Sequence, residues 1–88
     1  MNEQFKELKE YIETIITTSK LLGYQAEVSD DGTIIETEDG MVILAIFLYL
    51  EPTGKVLLQL SHGHTVKRMI DEPQEEKLNY LQNRLQAL

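Results

Sequence analysis

The residues best equipped for chemistry sit in one short stretch, Ser61-His62-Gly63-His64, followed closely by Lys67 and Arg68. Two imidazoles one residue apart project to the same side of an extended chain, which is the beginning of a metal site. Such a site needs a third protein ligand and groups to orient all three, and this segment holds neither cysteine nor carboxylate. Ser61 beside His62 does not make a nucleophile with its base, because adjacent strand residues face opposite ways. The expectation is therefore two solvent-exposed loop histidines and no bound metal. The alternative is that His62, His64, Lys67 and Arg68 surround a small anionic compound, as in a ligand-binding protein or small enzyme. That reading requires a concave pocket at the histidines.

Fifteen acidic residues invite calcium or acid–base chemistry. Asp30-Asp31-Gly32 and Glu38-Asp39-Gly40 lack the ligand spacing of a calcium loop, whereas Asp and Gly together are what tight turns select. The glycines are isolated turn residues, with no Gly-rich loop ahead of a helix to cradle a phosphate. Nothing here amounts to a catalytic or cofactor-binding constellation. The chain is read as a non-enzyme without a cofactor.

Charge placement says more than any motif. No basic residue lies between Lys20 and Lys55, while Glu27, Asp30, Asp31, Glu36, Glu38, Asp39 and Glu51 fall in that interval and account for the formal net charge of −7. From Pro52 to Ile70 the balance reverses, with Lys55, Lys67 and Arg68 and no acid. Direct nucleic-acid binding is disfavoured, since a footprint needs a stripe of cations on a basic chain. An acidic surface of Asp30, Asp31, Glu36, Glu38 and Asp39 could instead serve solubility, or engage a basic surface on another protein, including one built for nucleic acid.

These groups must be positioned by the elements around them. Phe5, Leu8, Ile12, Ile15, Ile16 and Ser19 recur at helical spacing with charges on the other side, and Gly23 is placed to end that helix. From Tyr24 the period changes to two, and four strands follow. Asp30-Asp31-Gly32 turns the first into the second, and Asp39-Gly40 reads as a two-residue hairpin loop. That loop pairs Glu38 with Met41, Glu36 with Ile43, Ile35 with Leu44 and Ile34 with Ala45. Glu51-Pro52-Thr53-Gly54 makes the next turn and sets Leu50 opposite Val56, Leu48 opposite Leu58 and Ile46 opposite Leu60. Residues 62–70 are read as loop that holds at most one short element. Asp71-Glu72-Pro73 then opens a second helix with an acidic cap, on which Leu78, Leu81, Leu85 and Leu88 recur at core spacing.

The run Met41–Leu50 is uncharged throughout, so both of its faces should be covered. Register puts Ile35, Val42, Leu44, Ile46, Leu48, Leu50, Val56, Leu58 and Leu60 on one face, against the helices. The other face collects Ile34, Met41, Ile43, Ala45, Phe47, Tyr49 and Leu57, bordered by Glu36, Glu38, Gln59 and Ser61. Eighty-eight residues are too few to bury both faces with the chain's own material.

The reading is thus one α+β domain over residues 1–88: an N-terminal helix, a four-stranded antiparallel meander and a C-terminal helix in a two-layer sandwich. Function is read as a small acidic protein-binding module, a regulator, adaptor or inhibitor, that dimerises through the sheet face of Ile34, Met41, Ile43, Phe47, Tyr49 and Leu57. The charged start, the short apolar run and the absence of cysteine suggest no targeting signal, no membrane contact and a cytoplasmic setting.

Overall fold

A computed structural model describes residues 2–30 and 32–88. Helix α1 spans Glu3–Leu21 and packs Leu8, Ile12, Ile15 and Ser19 inward. Asn2 starts it by accepting a hydrogen bond from the Phe5 amide at 2.9 Å. Gly23 ends it at φ 92°, where the Tyr24 amide donates to Ser19 O and the Gly23 amide to Lys20 O. This is the Schellman closure that a left-handed glycine permits.

Five strands follow: β1 (Gln25–Val28), β2 (Gly32–Glu36), β3 (Val42–Leu50), β4 (Val56–His62) and β5 (Thr65–Met69). They form one antiparallel meander in sequence order, so β3 is central. Helix α2 (Gln74–Gln86) closes the chain. The two helices lie on the same side of the sheet. Leu8, Ile12 and Ile15 of α1 and Leu81 of α2 share one cluster with Ile35, Leu44, Ile46, Leu48, Val56, Leu58, Leu60 and Met69.

The sheet has one strand more than the four expected. Residues 65–69, inside the expected loop, form a full strand β5, which pairs His62 with Thr65 and Leu58 with Met69. The turn between β4 and β5 is the two-residue Gly63-His64, with φ 59° at Gly63 and no positive φ at His64. A glycine in the first loop position is the type II′ solution, which matches the twist of the flanking strands. β5 is an edge strand whose only buried residue is Met69, and its Lys67 and Arg68 are the charges that blunt an exposed edge.

The β2–β3 hairpin also departs from expectation. Asp39-Gly40 is not a two-residue loop. The Thr37 amide donates to Met41 O, the Gly40 amide to Thr37 O, and Gly40 has φ 91°, so the loop is Glu38-Asp39-Gly40. The extra residue is offset by a bulge: Glu36 pairs Val42 while Ile35 still pairs Leu44. From Ile35–Leu44 inward the expected register holds. At the bulge two side chains exchange places. Val42, expected in the core, is 52% exposed, and Ile43, expected on the outer face, packs against the helix-side core.

The start of α2 is a third correction. Pro73 itself occupies the cap position and no side chain caps the helix. Asp71 pairs with Lys55 at 2.9 Å, and Glu72 accepts from the Ile70 amide at 3.3 Å.

Candidate functional site

The outer face of the sheet has no helix against it among the described residues. Residues paired across antiparallel strands share a face, and the registers therefore write that face as rows. One runs Glu27, Ile34, Ala45, Ser61 and Val66. The next holds Gly32, Phe47, Gln59 and Arg68, and a third holds Tyr49 and Leu57. Beyond the first row lie Gln25, Glu36 and Val42.

Phe47 and Tyr49, two apart on β3, stack with ring centroids 6.2 Å apart and planes at 20°, forming an aromatic ridge along the central strand. Beside it Ala45, Ser61 and Gly32 present little side chain, leaving a depression of about 180 Å³ bounded by Ile34, Phe47 and Gln59. Tyr49 is 43% exposed and Val66 61% exposed, while Leu57 is only 6% exposed despite facing away from the helices. Of the residues expected on this face, Ile34, Phe47, Tyr49 and Leu57 are brought together. Met41 sits exposed at the mouth of the β2–β3 turn, and Ile43 has turned to the other side. Sequence reasoning missed Val66 and Arg68, because both were assigned to loop.

The acids do not form one patch. Asp30 lies at the β1–β2 turn and Glu38 and Asp39 at the β2–β3 turn, opposite ends of a five-residue strand about 17 Å long. Glu36 stands on the outer face, and Asp31 lies outside the described residues. Asp39 is occupied in building its turn. The Thr37 hydroxyl donates to its carboxylate and holds the carboxyl below the usual aspartate range, aided by its own backbone amide. The Thr37 hydroxyl oxygen in turn accepts from the Met41 amide at 3.0 Å.

The histidines stand apart from both features. His62 ends β4, His64 lies in the following turn, and both are exposed. No group of three His, Cys, Asp or Glu among the described residues could hold a metal ion. His62 does border a cleft of about 180 Å³ with Tyr24, Ile43, Leu44, Arg84 and Leu88. His64, Lys67 and Arg68 are not part of it. Arg84, which sequence reasoning passed over, lies with its guanidinium carbon 5.6 Å from the Tyr80 ring centroid, and its buried Nε has no hydrogen-bond partner. The spacing of Tyr80 and Arg84, four apart on a helix, was the available signal.

One further polar group is enclosed on the helix side. Lys77 of α2 is 3% exposed, and its ammonium donates to Val56 O at 2.7 Å and to Ile70 O at 3.0 Å. Val56 lies beyond the last β4–β5 pair, Leu58 with Met69, so its carbonyl has no strand partner on that side. The lysine supplies the missing donor. Burial pushes its pKa down, with Glu72 and Asp71 pulling weakly the other way.

No helix among the described residues is long and apolar enough to cross a membrane. Comparison with family models, with curated proteins and with solved structures gives no match.

Proposed function

We propose that this chain is a small non-enzymatic protein-binding module that works through the outer sheet face, with a second copy of the chain as occupant. The observation that carries the reading is the contiguous apolar band of Ile34, Ala45, Phe47, Tyr49, Leu57 and Val66 on a five-stranded face without a covering layer. Five strands at about 4.8 Å make a face about 24 Å wide, and strands averaging about six residues make it about 20 Å long. A partner of the same size would bury about 1,000 Å² in total, the lower range of specific interfaces. The stacked rings of Phe47 and Tyr49 are the anchors such an interface concentrates its energy in, and the depression beside them can take an apolar side chain.

The test is sedimentation across the micromolar range, comparing wild type with Phe47→Glu. A wild-type dimer that Phe47→Glu converts to a folded monomer supports the reading. A wild type that stays monomeric throughout overturns it.

The reading as an acidic decoy for a nucleic-acid-binding surface asks for contiguous carboxylates, and the separation of Asp30 from Glu38 and Asp39 favours the sheet face instead. A pocket for a small anionic compound has one observation on its side, the cleft where His62 faces Arg84 with its unpartnered Nε. Calorimetric titration with phosphate and acetate tests it: saturable binding lost in Arg84→Gln supports this second reading, and no heat above dilution removes it.

A further inference from the structure

The outer face carries enough information to say how two copies would meet, an inference that rests on the dimer reading above. Its charges are polarised across the strands. Glu27 stands on β1, and Arg68 stands on β5 at the opposite edge, in the row of Gly32, Phe47 and Gln59. Lys67 points to the helix side and does not contribute. Among the described residues the one ion pair joins Lys55 to Asp71, and none of them gives Arg68 an acidic partner.

Two identical sheets packed face to face through a two-fold axis have two aligned solutions. With the axis across the strands, β1 lies on the partner's β1 and β5 on the partner's β5. That sets the Glu27 edge against the same edge of the partner and the Arg68 edge against its own copy. With the axis along β3, the middle of the five strands, the edges exchange and β1 lies over the partner's β5. This rotation keeps every row over the same row, so Arg68 arrives over the end of β1, one row spacing, about 7 Å, along the strand from Glu27. It also brings the two β3 strands together, with Phe47 and Tyr49 at the centre where water is best excluded.

We propose that the protein pairs in this second way, as a face-to-face dimer about an axis along β3, with Arg68 of each copy set against the Glu27 edge of the other. Arg68 is then the residue that selects between the two arrangements, because like-charge contact disfavours the first and opposite-charge contact favours the second.

The experiment uses two charge-reversed chains. Arg68→Glu has two acidic edges, and Glu27→Lys has two basic ones. Each alone should self-associate at least about tenfold more weakly than wild type, as expected when two symmetric charge contacts turn repulsive. An equimolar mixture should form a one-to-one heterodimer, read by sedimentation with one chain fluorescently labelled. Both positions are exposed on edge strands, and circular dichroism checks that each variant folds; Glu27→Gln, which removes the acid without reversing it, carries that arm if Glu27→Lys does not fold. Variants that each dimerise as well as wild type, or a mixture no tighter than its components, overturn the proposed orientation while leaving the dimer standing. A monomeric wild type overturns the dimer reading itself.

Discussion

Replacing Lys77 with Met tests whether the enclosed ammonium serves the fold. The side chain keeps its length and apolar stem, so packing in α2 is preserved, but Val56 O and Ile70 O lose their donor at 2.7 and 3.0 Å. A buried acceptor left without a partner costs about 1–3 kcal/mol. The Val56 carbonyl bears that in full, the Ile70 carbonyl less, because it is only partly buried. Relief of the desolvated charge acts in the opposite direction. Exchanging a whole buried ion pair for apolar groups is often neutral, but here the partners are backbone carbonyls that remain. The net expectation is a loss of about 2 kcal/mol, which in a chain of this size lowers the melting temperature by about 10 °C. The pH dependence adds a sign. Folded Lys77 titrates below the ordinary lysine value of 10.5. As pH rises from neutrality towards 10.5 the unfolded chain therefore holds more protons, and the lysine's contribution to stability increases. That increment should be absent in Lys77→Met. Urea unfolding of both chains from neutral to alkaline pH measures both effects. A variant as stable as wild type at neutral pH would refute the structural role.

Gly40→Ala should cost about 1 kcal/mol or somewhat more by urea denaturation, all of it backbone strain at φ 91°, since an added Cβ meets nothing within 4 Å. Thr37→Val should raise the Asp39 carboxyl pKa towards 3.8, as read by carboxylate NMR titration. Asp39 titrates below that value in the folded chain, so its stabilising contribution is present above 3.8 and lost as pH falls through the folded pKa, and the variant should lose that contribution. His62→Ala combined with His64→Ala should change stability by under about 0.5 kcal/mol, and stoichiometric zinc should leave the wild-type melting temperature unchanged.

How far the sequence could be read depended on whether each signal was local. The α1 stripe, the Gly23 stop and the Glu51–Lys55 turn are written in consecutive residues, and the structure has them where spacing puts them. The Asp39-Gly40 signal was read one residue short, because Asp39 is held by Thr37 inside a longer loop and the compensating bulge falls at Val42–Leu44, where an unbroken apolar run gives no mark of a skipped residue. That is why Ile43 and Val42 exchanged faces. β5 escaped notice because Thr65-Val66-Lys67-Arg68-Met69 buries a single side chain, so an edge strand looks like polar loop; the Gly63-His64 turn was its only local trace. Lys77 and Arg84 could not be found from one strand of text, since what distinguishes them is carbonyls and rings supplied by other parts of the fold. Most of the outer face was legible because an extended backbone sends alternate residues of β3 and β4 to opposite faces; the assignment breaks at Met41–Ile43, next to the bulge.

Isotope-filtered nuclear Overhauser spectroscopy tests the central claim most directly. A sample mixed from labelled and unlabelled wild-type chains shows only contacts between copies. Pairing through the outer face predicts cross-peaks from the Phe47 and Tyr49 rings of one copy to the same rings of the other, and from Tyr49 to the methyl groups of Leu57. Intermolecular contacts confined to the helix side, such as exposed Leu21 and Leu22 at the end of α1 or Val28 of β1, with the outer face silent, would contradict it.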